Sequence, residues 1–285
     1  MREMSGVMAT RTVAIAGADA YIIDAFVKPA AEKNICHFII FGCEDIDVSD
    51  ITGCQYTKCE TIDETVSGAV QAVQAKKAQI IMKGNIHTSM LLSAILKREN
   101  NLRDKKVLSQ VSVINFKDGS RQWVMSDPGL NIAPDVATKI EISKNAIDVA
   151  KNIGITCPKV ALLSAVETVS PKMQSSVDAK AVADYFAENP YDAIVEGPIS
   201  MDIATDAHSA VAKKYPGEIQ GDADVLIVPN IESGNLMYKT ITHFIPSVIS
   251  GAIIGAKVPV VLTSRSDSLD SKLASLELAI QNVVD

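Results

Sequence analysis

The stretch QIIMKGNIHTSMLLSAIL, residues 79–96, decides the fold class. It opens with a β-rich apolar run at 79–82 that predicts a short buried strand, and it closes with a helical pattern at 89–96. The loop between them, 83–88, carries a lysine, a glycine, a histidine and a threonine. A strand, a loop and a helix in this order form the repeating unit of an α/β protein.

The same alternation continues along most of the chain. It favours a parallel sheet with helices on both faces. Asp118-Gly119 lies between two β-rich runs and predicts a hairpin, so part of the sheet should be antiparallel. The predicted strands are 12–16, 38–41, 79–82, 107–115, 122–125, 160–163, 193–195, 225–228 and 258–262. The predicted helices are about 19–33, 61–75, 89–96, 134–152, 179–187, 234–244 and 271–282.

Composition and charge limit the classes of function. Of the 285 residues, 47% are hydrophobic and 21% are charged, which is ordinary for a globular protein and excludes a disordered chain. The net charge of -7 disfavours general binding to nucleic acid or to an anionic membrane. A local cationic pocket can still hold a small anion.

The cysteines and the N-terminus predict a cytoplasmic protein. There are five cysteines, an odd number, and none forms a C-x-x-C pair, which is typical of free thiols in a reducing compartment. We expect no signal peptide, because no long apolar region precedes the first strand. The apolar segment 248–262 is too short for a membrane span and is interrupted by Lys257 and Pro259.

The loop 263–270 is a candidate anion site. It follows a predicted strand and precedes a predicted helix, which is where α/β sheets place their ligands. Hydroxyl groups, backbone N–H groups at a helix start and the guanidinium of Arg265 suit a phosphate. The alternative is a plain helix-capping loop, since serine and aspartate are common caps.

Two further loops follow strands in the same way. In 83–88, Lys83, Gly84 and Thr88 could face one ligand, whereas His87 could bind an anion or cap a helix. In 228–235, Gly234 permits a close backbone approach at a helix start, although a simple turn explains it equally well.

Several segments together resemble the phosphate acetyl- and butyryltransferase family. VLIVPNIESGNLMYK at 225–239 is similar to its signature, and VVLTSRS at 260–266 matches the pattern after its last major strand. DPGLNIAP at 127–134, KGNIHT at 83–88 and EGPISMD at 196–202 resemble further segments, in the family's order. The resemblance covers nearly the whole chain from about Ile80 onward.

The resemblance implies an architecture. The family has two α/β lobes, each a three-layer αβα sandwich, with the site in the cleft, as in the isocitrate and isopropylmalate dehydrogenases. We place the first domain at 1–126 plus 248–285 and the second, inserted domain at 127–247. The resemblance also implies homodimers or larger assemblies.

It further implies a reaction and its site. The family exchanges the coenzyme A of an acyl thioester for inorganic phosphate, without a metal or an organic cofactor. Arg265 and Ser264 would contact the phosphate and the oxyanion, and Asp270 would act as the base for the thiol. The implied binding residues for phosphate, acyl group and coenzyme A are Lys83, Gly84, His87, Thr88, Asn131, Glu196, Gly234, Asn235 and Lys239.

The substrate is expected to be a butyryl or branched-chain acyl group. The segments 131–135 and 196–198 look more like that branch of the family than like the acetyl branch. Glu196 stands where the family commonly has aspartate. Acetyl-type members carry an acidic residue six positions after the motif arginine, where this chain has Ser271, with Asp270 one residue before it.

Two other functions remain open from the sequence. A metal- and NAD-dependent decarboxylating dehydrogenase would use the same fold, but the sequence offers no convincing carboxylate cluster for a divalent cation. A small-molecule binding module without activity is the alternative to an enzyme. Turnover of butyryl-CoA with phosphate, against NAD reduction with a 2-hydroxy acid, separates them.

The role given to Arg265 leads to a first prediction. Arg265→Lys keeps the charge but loses the two-pronged contact with phosphate. We expect turnover to fall on the order of a hundredfold, as for the loss of about 3 kcal/mol of transition-state stabilisation. The thermal midpoint should stay near that of the wild type, measured by circular dichroism. Full activity, or an unfolded variant, would contradict this role.

Overall fold

The protein forms two compact units. The computed structural model describes residues 11–262 and 267–284. Unit 1 combines Met1–Arg103 with Lys257–Asp285, and unit 2 is the intervening Asp104–Ala256. Each unit is described by itself below.

Strands and helices alternate in both units, as the sequence predicts. The strands are β1 (Thr12–Ala18), β2 (His37–Gly42), β3 (Cys54–Lys58), β4 (Ile80–Lys83), β5 (Ser109–Phe116), β6 (Gln122–Ser126), β7 (Lys159–Leu163), β8 (Ile194–Ile199), β9 (Val225–Ile227), β10 (Ser247–Ile254) and β11 (Val260–Leu262). The α-helices are α1 (Ala20–Ile22), α2 (Lys28–Glu32), α3 (Ile62–Gln74), α4 (Thr88–Leu96), α5 (Val136–Asn152), α6 (Gln174–Glu188), α7 (Met201–Thr205), α8 (Ala207–Ala212), α9 (Ile231–Phe244) and α10 (Leu269–Gln281). A π-helical turn, Ile23–Val27, joins α1 to α2, and a 3-10 turn, Arg98–Asn100, follows α4.

The strands of unit 1 are all parallel. Their order is β3-β2-β1-β4-β11. Ile15 of β1 lies opposite Ile40 of β2 on one side and Met82 of β4 on the other, and all three are buried. Because the strands are parallel, the C-terminal ends of β1, β4 and β11 lie on the same edge of the sheet.

Helices cover both faces of this sheet. Phe26 and Leu276 pack with Ile15 in one apolar cluster, which places the N-terminal helical segment and α10 on the same face. Helix α3 contacts β1, β2 and β4. Its Gly68 leaves room for the ring of Phe41, because a Cβ atom at Gly68 would lie 2.5 Å from that ring.

The strands of unit 2 combine both directions. Their order is β10-β5-β6-β9-β7-β8, with β10, β5 and β6 antiparallel and the rest parallel. The predicted hairpin is confirmed, with Gly119 at a φ of 72° in its turn. Strand β10 pairs with β5 along all eight residues.

Unit 2 also has helices on both faces. Met125, Leu226, Ile203 and Ile241 belong to one apolar cluster, in which α7 and α9 meet the sheet. Helix α5 contacts β5, β6 and β9, while α6 contacts β7 and β8. The α/β class is therefore that of the prediction, with its antiparallel section in unit 2.

The limits of the two units differ from the predicted domain limits. The sequence places the domain boundaries near 126/127 and 247/248, whereas the boundaries between the compact units lie at 103/104 and 256/257. The antiparallel ladder explains the difference. Because β10 binds β5 along its length and β5 binds β6, these three strands group with the inner segment.

Within the described residues, none of the helices has the length and apolar character needed to cross a membrane. All five cysteines are free thiols.

A close backbone contact joins the ends of β1 and β4. The N–H of Gly84 donates to Ala16 O at 2.8 Å, and the N–H of Asn85 donates to Gly17 O at 2.6 Å. A Cβ atom at Gly84 would lie 2.3 Å from Gly17 O, which is backbone and has no room to move. The chain needs glycine here because the two loops touch.

Gly84→Ala should therefore destabilise the protein. We expect the free energy of unfolding to fall by about 1–3 kcal/mol, because the new methyl group overpacks against backbone. Gly251→Ala is the matched control, since its nearest neighbour would lie 3.6 Å away, an ordinary contact. Urea denaturation of both variants measures the difference. Equal stability of the two variants would show that the Gly84 contact relaxes freely.

Candidate active site

The loop after β4 gathers four of the predicted residues in unit 1. Lys83 ends β4 and Gly84 is buried. His87 occupies the N-cap position of α4, and Thr88 is the first residue of that helix. The ammonium of Lys83 donates to Gly84 O at 2.9 Å and to Ile86 O at 3.1 Å. Lys83 thus closes over its own loop, while the exposed His87 makes no capping hydrogen bond with its side chain.

Of the three predicted catalytic residues, the structure describes only Asp270. Ser264 and Arg265 lie outside the described residues. Asp270 is exposed in the first turn of α10. This helix is capped by Ser268, whose hydroxyl accepts from the N–H of Ser271 at 3.2 Å. Asp270 therefore lies at a helix start on the carboxyl edge of the unit 1 sheet, as predicted.

In unit 2, the buried carboxylate of Asp127 organises the loop after β6. Asp127 is 3% exposed and accepts from the N–H groups of Gly129 (3.0 Å), Leu130 (2.9 Å) and Asn131 (3.1 Å). Burial raises the pKa of Asp127, and the hydrogen bonds oppose that shift. Residues 129–131 therefore form a tight loop around the Asp127 carboxylate. The sequence analysis quoted the segment 127–134 but assigned no role to Asp127. Its only sequence signal is an aspartate immediately before Pro-Gly.

The side chain of Asn131 helps to build this loop. Its Nδ2 donates to Asp127 Oδ2 at 2.6 Å and to Leu108 O at 2.8 Å. Both amide hydrogens of Asn131 are therefore used within unit 2.

The same loop packs against the start of α9, where two more predicted residues lie. A Cβ atom at Gly234 would lie 2.9 Å from Pro128 Cα and 3.1 Å from Asp127 O. Asn235 Nδ2 donates to Pro128 O at 3.3 Å. Lys239 lies farther along α9, with its ammonium 5.5 Å from the ring centroid of Tyr238. The structure thus brings Asn131, Gly234 and Asn235 into one neighbourhood.

A cavity of about 610 Å³ lies beside these loops in unit 2. Three helices begin at it: α5 after its cap Asp135, α6 after Met173, and α9 after its cap Asn230. Helix starts carry partial positive charge and N–H donors, so they attract anions. The lining residues are Ala133, Pro134, Asp135, Val136, Ala137, Lys139, Gln174, Ser175, Asp178, Pro229 and Asn230.

The start of α6 presents donors to this cavity. No side chain caps the helix at Met173. The hydroxyl of Ser175 lies 3.0 Å from that of Ser164, the residue that follows β7. These hydroxyl and backbone donors can contact an oxyanion or a phosphate oxygen.

Glu196 lies elsewhere in unit 2. Its carboxylate accepts from the N–H of Glu218 at 2.6 Å and from that of Ile219 at 3.2 Å, so it fixes a loop. It lines a second cavity, of about 780 Å³, along the edge strand β8. The structure does not place it among the residues that line the first cavity.

Two residues that line the second cavity, Glu167 and Lys213, belong to a charged cluster that the sequence analysis missed. Lys213 lies 2.9 Å from Asp202, 3.1 Å from Glu167 and 3.3 Å from the hydroxyl of Ser200, which itself donates to Glu167. Hydrogen bonds from Ser200 and Lys213 lower the pKa of Asp202 to about 2, and the two carboxylates raise the pKa of Lys213. A lysine that stays protonated cannot act as a base. The cluster is therefore suited to a structural role, in which Lys213 at the end of α8 is tied to Glu167 and Asp202.

Comparisons with known proteins identify the family. Residues 52–280 match the model of the phosphate acetyl/butaryl transferase family. The chain belongs to this family. Its members are acyltransferases, and this chain is a phosphotransacylase.

Two relatives cover nearly the whole chain. It is 39% identical over 277 residues to a probable phosphate butyryltransferase of Bacillus subtilis, covering 95% of this chain and 92% of that one. It is 42% identical to a branched-chain phosphotransacylase from Enterococcus faecalis whose crystal structure has a TM-score of 0.89, covering 96% of this chain and 99% of that one.

The fold extends beyond the acyltransferase family. A putative 4-hydroxythreonine-4-phosphate dehydrogenase from Salmonella typhimurium has a TM-score of 0.57 at 12% identity, covering 95% of this chain and 99% of that one. This likeness concerns the fold alone, and it agrees with the dehydrogenase-like architecture predicted from the sequence.

The wall of the first cavity contains a buried ion pair that can be tested. Lys139 Nζ lies 2.6 Å from Asp178 Oδ2. Lys139→Met leaves the charge of Asp178 buried without its partner, and we expect the free energy of unfolding to fall by about 3–5 kcal/mol. The double variant Lys139→Met/Asp178→Leu should recover most of this loss. Urea denaturation measures both, and a double variant no more stable than the single one would contradict the ion-pair explanation.

Proposed function

We propose that this phosphotransacylase transfers a butyryl or branched-chain acyl group between coenzyme A and inorganic phosphate. The observation that carries the proposal is the convergence in unit 2 of two family segments, 127–134 and 225–239, at a cavity where three helices begin. Such a cavity suits phosphate oxygens or the oxyanion of an acyl group.

The reaction balances without an external oxidant or reductant. A phosphate oxygen attacks the thioester carbonyl carbon, and a C–O bond forms as the carbonyl oxygen becomes an oxyanion. The C–S bond then breaks, the thiolate leaves and takes a proton, and acyl phosphate and coenzyme A are released. Proximity and electrostatic stabilisation can supply most of the acceleration, so the proposed reaction uses no metal and no organic cofactor.

We assign roles to residues in both units. Arg265 and Ser264 contact phosphate and the oxyanion, and Asp270 takes the thiol proton in the reverse direction. The exposed position of Asp270 in the first turn of α10 leaves it accessible to a thiol. His87 and Thr88 at the start of α4 are donors available to phosphate groups of the substrates.

Three of the predicted binding residues act by shaping loops and not by contacting a substrate: Lys83, Asn131 and Glu196. Lys83 and Asn131 shape the loops that carry the donors, through the hydrogen bonds described above. Glu196 fixes the loop that follows α8. Gly234, Asn235 and Lys239 keep their role in binding, since α9 begins at the cavity.

We also propose that the enzyme is cytoplasmic and forms a homo-oligomer. Five free thiols fit a reducing cytoplasm. The family resemblance supports a homodimer or a larger homo-oligomer.

The acyl preference is proposed from two observations. The relatives with 39% and 42% identity are a probable phosphate butyryltransferase and a branched-chain phosphotransacylase. The family as a whole includes both acetyl and butyryl enzymes, so the preference requires its own measurement.

A phosphate-dependent thiol-release assay tests it. We expect kcat/KM for butyryl- and isobutyryl-CoA to exceed that for acetyl-CoA by roughly tenfold or more, because each methylene in a fitted pocket contributes about 1–3 kcal/mol. Reactions without phosphate are the control. Equal or better use of acetyl-CoA overturns the acyl preference, and no phosphate-dependent release with any acyl-CoA overturns the proposed reaction.

A further inference from the structure

Lys272, one turn into α10, carries a buried positive charge. The residue is 3% exposed. Its ammonium nitrogen lies 3.5 Å from the hydroxyl of Tyr21 and 5.2 Å from the centroid of that ring. A hydrogen bond of this length is weak, and a phenol carries no negative charge to balance the ammonium.

Other shielded lysines of the protein have a carboxylate partner. Lys139 lies 2.6 Å from Asp178, and Lys105 lies 2.5 Å from Asp148. Within residues 11–262 and 267–284, no carboxylate forms an ion pair with Lys272. Removing an ammonium from water is unfavourable unless an opposite charge replaces the lost hydration. Among the residues that the structure describes, the charge of Lys272 is therefore offset only by the hydroxyl and ring of Tyr21.

The position of this charge points to a ligand. Helix α10 follows β11, and Tyr21 lies in α1, which follows β1. Both strands end on the carboxyl edge of the unit 1 sheet, where the loop with His87 also lies. The helix start adds its own partial positive charge, so the potential at this edge favours an anion.

Tyr21 covers the ammonium, yet it is itself 47% exposed. Exposed side chains change rotamer on the picosecond-to-nanosecond timescale, so Tyr21 can move away from its contact with the ammonium. Resting on the proposed function, we propose that Lys272 binds a phosphate group of a substrate in exchange for the Tyr21 hydroxyl. The same chemistry is offered by inorganic phosphate and by the phosphates of coenzyme A.

Equilibrium binding tests this without any need for turnover. Calorimetric titrations of the full chain with inorganic phosphate and, separately, with coenzyme A identify which ligand uses the ammonium. We expect Lys272→Met to weaken binding of one of them on the order of tenfold to a hundredfold, as for a lost charge-assisted hydrogen bond. Its thermal midpoint should match or exceed that of the wild type, because an unbalanced buried charge has been removed.

Lys28→Met is the matched control. Lys28 is an exposed lysine in α2 that pairs with Asp24 at 2.8 Å, and its replacement should leave both affinities unchanged. Wild-type affinity of Lys272→Met for both ligands overturns the inference. So does a wild-type chain that binds neither ligand.

A second variant decides the case in which Lys272→Met does not fold. Tyr21→Phe removes the hydroxyl that competes with the ligand and should tighten binding of the same phosphate compound; unchanged or weaker binding overturns the inference. Failure of the proposed function gives a different result, since the affinities would then change as expected while no acyl-CoA is turned over.

Discussion

The hydrogen bonds to the buried carboxylate of Asp127 are the interaction on which the unit 2 half of the candidate site depends. Three successive backbone N–H groups and the amide of Asn131 converge on its two oxygens. The loop shaped in this way supplies the surface against which Gly234 packs, and so it fixes where α9 begins. The chain then runs through Ala133 and Pro134 into the wall of the cavity. One carboxylate thus shapes the segment 127–134, and a second family segment, about a hundred residues later in the sequence, packs against it through Gly234.

Much of the fold follows from hydrophobic pattern, and the parts that do not have identifiable reasons. Strand β3, CQYTK, lies at the edge of its sheet and alternates half-buried with exposed residues, so it lacks the apolar run that reveals a central strand. Strand β10 appears in the sequence only as the beginning of a long apolar segment. The π-helical turn Ile23–Val27 lies just before Pro29, which belongs to α2 and has no N–H to donate to the preceding turn. These features depend on pairing and on backbone detail, which periodicity does not encode.

For the candidate site, the sequence predicted where the loops lie but not the hydrogen bonds that their side chains make. Position after a strand correctly located the loops of Lys83 and Gly84 and the start of α9, because the carboxyl edge of a sheet is set by topology. The sequence could not show which hydrogen-bond partners each polar group has. Glu196 accepts backbone N–H groups, and Asn131 spends both amide hydrogens on its own loop. The meeting of three helix starts is equally invisible in the sequence, because it arises from distances between segments that are far apart along the chain.

Because three helices begin at the unit 2 cavity, part of its attraction for an anion does not depend on pH. Backbone amides do not titrate, whereas a histidine loses its charge near neutral pH and a buried lysine readily shifts its own equilibrium. The contribution of α5, α6 and α9 to the local potential is therefore the same in acidic and in alkaline surroundings. It requires no net positive charge on the protein surface, which suits a chain with an overall charge of -7. Attraction that arises from peptide dipoles therefore does not weaken as the surrounding pH changes.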